Sequence, residues 1–166
     1  MTENILLSEH LDLYEMTNSD DHPDLVELNR ELATESLPVM WALRKWAGEI
    51  FEKVREILGG HPRHIGSGFR CAKINNATPG ASIYSQHRNG QAGDIEMNAA
   101  EQEQLLDVLI PEIHVRKQLK SLKKLVIPLD NLPFRFHQLR FYPSRGFVHI
   151  GLETGYKDGQ ISWGCK

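Results

Sequence analysis

The strongest constraint on the fold is an apolar stripe in the first half of the chain. Val39, Met40, Leu43, Trp46, Ala47, Ile50, Phe51, Val54, Ile57 and Leu58 recur at three- and four-residue spacing, the period that lines one face of an α-helix. Arg44, Lys45, Glu49, Glu52, Lys53 and Glu56 fall largely on the other side. Ser36 suits an N-cap, Pro38 falls in the first turn, and Gly59-Gly60 supplies a stop. The spacing predicts one amphipathic helix, with Trp41 and Trp46 read as core residues rather than a sugar-stacking platform. Upstream, Pro23 opens a short helix over residues 24–33, and residues 6–16 read as a short strand followed by a helical turn.

Strand signals dominate the second half. Residues 63–70 read as a strand ending in a glycine-rich turn, residues 92–97 as a strand entering the core, and Leu125-Val126-Ile127 as another. His137-Gln138-Leu139-Arg140-Phe141-Tyr142 alternates as a strand should, and Pro143-Ser144-Arg145-Gly146 turns it into Phe147-Val148-His149-Ile150. Residues 155–163 predict a final edge strand. Residues 76–84, with Pro79-Gly80, read as a loop. Asn98 and Glu101 form a capping-box pattern for a helix with Leu105, Leu106, Val108 and Leu109 on its apolar face, ended by Pro111. The basic residues 114–124 read as a solvated helix face rather than a surface for anionic polymers. Helices first and strands after, joined by short turns, argue for α+β. The expected architecture is a single domain over residues 1–166, with N-terminal helices packed on a small antiparallel sheet.

Composition narrows the function. The chain has 166 residues, 40% of them hydrophobic and 25% charged, with a net charge of -3. That balance is ordinary for a globular protein and leaves no basic footprint for nucleic acid. No apolar run reaches the length of a membrane span, so no membrane insertion is expected. Residues 1–7 lack a basic region and a long apolar core, so they do not read as a secretory signal, and the chain is expected to be cytoplasmic at synthesis. Cys71 and Cys165 make no zinc-ribbon spacing and read as reduced thiols, with a disulfide as the alternative in a virion.

The stretch Ser85-Gln86-His87-Arg88-Asn89-Gly90-Gln91-Ala92-Gly93-Asp94 carries the chemistry. Its histidine and aspartate are both zinc-ligand types, and Asn89-Gly90 can reverse the chain between them. Taken alone, such a pair reads equally as plain loop residues. His149, in the middle of an apolar strand, adds a third ligand type. Three ligands from two segments leave the open fourth position that a catalytic zinc needs.

Ser85, His87, Gly90, Ala92 and Asp94 match every fixed position of S-x-H-x-x-G-x-A-x-D. In this the chain resembles the M15 peptidases, zinc D-Ala-D-Ala carboxypeptidases and phage endolysins that cut L-alanyl-D-glutamate bonds. Ser67-Gly68-Phe69-Arg70 is similar to the family's S-G-Y-R element, with Asn75 at the family's spacing, and Phe147-Val148-His149 to its W-x-H element, with Phe147 for tryptophan. The likeness extends over roughly residues 6–152. It implies Zn2+ bound by His87, Asp94 and His149, and a substrate carboxylate held by Arg70 with Ser85 nearby. It further implies that the chain hydrolyses peptidoglycan stem peptides in the cell wall, reached after release or as part of a virion.

One element departs from the family. Its Q-L-x-W-E segment is here Gln138-Leu139-Arg140-Phe141-Tyr142, and no aspartate or glutamate lies between Asp130 and Glu153. Tyr142 falls at the carboxylate position and His137 is the nearest titratable alternative. Imidazole titrates near neutrality and a phenol does not. Alternation puts Arg140 and Tyr142 on one face and His137 on the other unless a bulge intervenes, and Tyr142 is expected closest to the metal. The other reading is a non-catalytic M15-like virion or tail protein that binds wall peptide or a virion assembly partner. His10, His22, His61 and His64 read as surface residues.

Overall fold

Residues 4–153, Gly155 and residues 158–165 are described by a computed structural model of the chain. Tyr156 and Lys157, within the expected tail segment, lie outside the described residues.

Asp12 caps helix α1 (Leu13–Thr17) through a capping box with Glu15. Pro23 opens a single 3-10 turn before α2 (Val26–Glu35). Ser36 accepts from the Val39 N–H and starts α3 (Leu37–Trp46). The predicted long helix is interrupted: Ala47–Phe51 is a π turn, and α4 (Glu52–Ile57) resumes the α geometry. The extra residue of a π turn shifts the phase of the stripe, yet Trp46, Ala47, Ile50, Phe51 and Val54 are all buried. Trp41 is not core. The residue is 64% exposed, and its ring lies under the Lys45 ammonium.

The described strands form one six-stranded sheet in the order β1-β2-β5-β4-β6-β3. They are β1 (Ile65–Ser67), β2 (Ala92–Glu96), β3 (Lys124–Pro128), β4 (Phe136–Tyr142), β5 (Phe147–Leu152) and β6 (Asp158–Trp163). The fold is thus α+β, with antiparallel pairing everywhere except between β4 and β6, which run parallel. The tail strand is not an edge. β6 lies between β4 and β3, with Ile161 and Ser162 buried, and β3 takes the edge. Gly159 permits this, because a Cβ there would meet Leu129 and Phe136 at 2.6 Å.

Between β1 and β2 the chain forms α5 (Ala72–Ala77), which takes in the first residues of the expected loop. The capping box at Asn98 starts α6 (Ala99–Leu109), whose Leu105, Leu106 and Leu109 are buried while Val108 is exposed. Helix α7 (Ile113–Leu122) carries the basic stretch. Lys120 pairs with Glu103 and Arg116 with Asp107, so α6 neutralises part of that face.

Ile95, Val148, Ile150, Leu139 and Phe141 join the helical side chains in the core. Trp46 locks the two layers together. Its Nε1 donates to the Ile150 carbonyl at 2.8 Å, and its ring fills the space over Gly93. A Cβ on Gly93 would fall 2.5 Å from Cζ2 and Cη2 of that ring. Gly93→Ala is therefore expected to overpack the core, lowering stability by about 1–3 kcal/mol. The check is a denaturant titration in which the midpoint falls and the slope is unchanged.

Candidate metal centre

Asp94 and His149 meet because β2 and β5 pair in register: Gly93 faces Ile150, and Asp94 faces His149. Directly paired residues share a sheet face. Gly93 and Ile150 turn to the Trp46 side, so Asp94 and His149 turn to the open one. His149 Nδ1 lies 2.7 Å from Asp94 Oδ1.

His87 comes from the 3-10 turn Gln86–Asn89, which ends at Gly90 with φ 67°. A side chain there would be strained by that φ and would also press on the Val39 carbonyl at 3.0 Å. The turn is thereby held against α3. His87 Nδ1 lies 2.7 Å from the Gly68 carbonyl. A carbonyl only accepts, so Nδ1 carries the proton and Nε2 is left with its lone pair. That Nε2 points at His149 Nδ1 at 3.2 Å and at Asp94 Oδ1 at 3.5 Å.

The three donor atoms lie within 4.8 Å of one another. Their side chains are 3%, 19% and 15% exposed for His87, Asp94 and His149. Burial by itself would raise the Asp94 carboxyl. The charge of His87 and the hydrogen bonds from both imidazoles outweigh it and hold the group well below the usual carboxylate range. Desolvation, helped by the charges of His87 and Arg140, holds His149 below the usual histidine range against the opposing hydrogen bond to Asp94. An anionic Asp94 and a His149 drawn toward its neutral form suit the ligation of a divalent ion. Two imidazole nitrogens and a carboxylate, with one tautomer set from behind, fit zinc.

The site opens into a cleft of about 930 Å³. Arg70, Ser85, His137 and Tyr142 line it alongside the His-Asp-His group. The Arg70 N–H donates to the His87 carbonyl at 3.1 Å, and its Nη2 contacts Ser85 Oγ at 3.4 Å. Its Nε is buried with no hydrogen-bond partner among the described residues. Burial draws the guanidinium below its ordinary range while Asp94 opposes the shift.

His137 reaches the cleft through the exception that alternation allows. The β4–β5 register slips between Phe136 and Gln138, a bulge that turns His137 and Gln138 to the same side while Phe136 and Leu139 stay buried. The expectation for Tyr142 is corrected. Tyr142 pairs with Phe147 and stacks on its ring at 4.3 Å, whereas Arg140 stands directly across from His149. A four-residue turn, closed by Gly146 N–H to the Tyr142 carbonyl, sets that register.

Three further residues escaped the sequence reading. Glu96, two positions after Asp94 on the same strand face, puts another carboxylate in the cleft and pairs with His64 at 3.0 Å. Arg140 flanks His149. Asn29, fully buried in α2, donates to the Thr17 and Phe69 carbonyls at 2.9 and 2.8 Å and accepts the Cys71 N–H at 2.7 Å. It brackets Arg70 from both sides. An asparagine inside a helix is a poor helix former unless its amide is engaged, and that was the available signal.

A family model described as Peptidase M15 matches residues 27–119. The chain belongs to the peptidase M15 family. The matched span contains Asn29, Arg70, Ser85, His87 and Asp94, while His137, Tyr142 and His149 lie beyond it. M15 peptidases are in general zinc-dependent and act on peptidoglycan peptides. No curated protein matches this M15 chain.

Asn29→Ala would leave two carbonyls and one N–H buried without partners. A loss of at least about 2 kcal/mol is expected, together with faster amide hydrogen exchange at Cys71 than in the wild type under native conditions.

Proposed function

We propose that this chain is a zinc metallopeptidase that hydrolyses peptidoglycan stem peptides. The observation that carries the reading is the convergence of His87, Asp94 and His149 within 4.8 Å at the floor of a cleft, in a chain of a peptidase family. These three residues hold the ion, which supplies Lewis acidity and an activated water at neutral pH.

The chain's own groups do the rest. Arg70 offers a planar fork to a substrate carboxylate, and Ser85 steadies both. The tautomer imposed by Gly68 keeps His87 Nε2 available as a ligand. His137, turned into the cleft by the bulge, accepts the proton released on attack and returns it to the leaving amine. The Tyr142 hydroxyl is a donor for the carbonyl oxygen as charge develops on it. The stem peptide is the partner, met at the wall after release of the protein or from a virion.

A second reading has its own support. With no carboxylate between Asp130 and Glu153, the chain as a non-catalytic virion or tail protein would keep the cleft for binding wall peptide or a protein partner.

Metal analysis addresses the centre. Protein dialysed without chelator is expected to hold one zinc per chain, and His87→Ala none. The depressed His149 imidazole stays neutral to lower pH than a free one. Zinc should therefore persist as the pH falls through about 6.5, where a free histidine charges, and be released further down. Zinc-free wild type across the whole range would count against the reading.

Kinetics separates the two readings. On stem peptides, His137→Ala is expected to lower kcat by roughly 100-fold or more with little change in KM, and Tyr142→Phe to have a smaller effect. Chelator should abolish turnover and added zinc restore it. Wild type that binds zinc and peptide without cleaving it would establish the binding role instead.

A further inference from the structure

The row of residues that holds the ligands continues past them. Across five strands the register runs Ser67, Asp94, His149, Arg140, Ser162. Arg140 leaves the sheet on the cleft side, one strand beyond His149, and neighbouring strands are about 4.8 Å apart. Arg70 enters from the other end, three residues after the Ser67 that closes the row on β1. The two guanidiniums thus flank the His-Asp-His group. Arg70 acts electrostatically on Asp94, and Arg140 on His149.

Arg140 is also oriented. Its Nη2 donates to Gln138 Oε1 at 2.8 Å, and Gln138, two residues before it on β4, lines the cleft on the same face by ordinary alternation. Among the described residues neither Arg70 nor Arg140 forms an ion pair with a carboxylate. A half-buried guanidinium with no carboxylate in direct contact is costly, and an arriving anion relieves it. Arginine's fixed fork makes a carboxylate the natural occupant.

We propose that Arg140 is a specificity-determining residue: a second carboxylate clamp that acts with Arg70 to select peptides carrying a carboxylate on each side of the amide presented to His87, Asp94 and His149. The inference rests on the peptidase reading and deepens it by naming the substrate class. A stem peptide meets the requirement when both its glutamyl α-carboxylate and its C-terminal carboxylate are free, and amidation of either removes one anchor.

The test uses three synthetic pentapeptides, L-Ala-γ-D-Glu-L-Lys-D-Ala-D-Ala, its glutamyl α-amide and its C-terminal amide. Affinities are measured by NMR titration on the protein as purified, with any hydrolysis followed in the same spectra, for wild type, Arg140→Gln, Arg140→Lys and Arg70→Gln. Each amidation is expected to weaken binding to wild type by about tenfold or more. Arg140→Gln should erase the effect of one amidation and keep the other, and Arg70→Gln the reverse. Arg140→Lys should keep a reduced discrimination, because it retains charge without the fork. If Arg140→Gln still distinguishes both amides, or loses both together, the assignment is wrong. Wild type that binds all three peptides equally overturns the clamp and leaves the peptidase reading standing. Wild type that binds none, with or without zinc, overturns both.

Discussion

The indole of Trp46 supports the site from beneath. Gly93 and Ile150 are paired across β2 and β5, and both are held by that one side chain, Gly93 by contact and the Ile150 carbonyl by a hydrogen bond. Their next neighbours, Asp94 and His149, are paired on the opposite face and form two thirds of the His-Asp-His group. Because side chains alternate along a strand, fixing one face sets the other. A slip of one residue between β2 and β5 would bury Asp94 in apolar surroundings and turn Ile95 out, so the hydrophobic core itself enforces the Asp94–His149 pairing.

The third residue of the group depends on different physics. His87 stands on an irregular turn with no ladder to hold it, and backbone groups take that role. The Gly68 carbonyl sets its tautomer, and its own carbonyl accepts the N–H groups of Arg70 and Gly90. Gly68 is in turn pressed against Met16, where a Cβ would lie 2.3 Å from a carbonyl oxygen, and Asn29 ties the segment to α2. The N-terminal helices therefore serve the site without entering it: they keep residues 68–71 in place, and that segment positions both His87 and Arg70.

Electrostatically the centre balances one buried carboxylate against two imidazoles and two flanking guanidiniums. Asp94 is drawn well below the usual carboxylate range although burial opposes it. Two arginines at opposite ends of the row each present a guanidinium to the cleft, which Glu96 also lines with a carboxylate.

Much of this was legible in the chain. Helical periodicity located α3 and α4, the capping residues Ser36 and Asn98 located helix starts, and the spacing of Ser85, His87, Gly90, Ala92 and Asp94 pointed to the family, because all of these are local properties of neighbouring residues. Trp41 was misjudged since a stripe of period 3.6 does not say which of its borders stays covered. The place of β6 inside the sheet, its parallel pairing with β4, the bulge that turns His137 into the cleft, and the placing of Arg140 rather than Tyr142 opposite His149 were decided only by tertiary structure. Each depends on register between segments far apart in the chain, and register is set by the sum of core contacts and turn geometry, which no single stretch of residues contains.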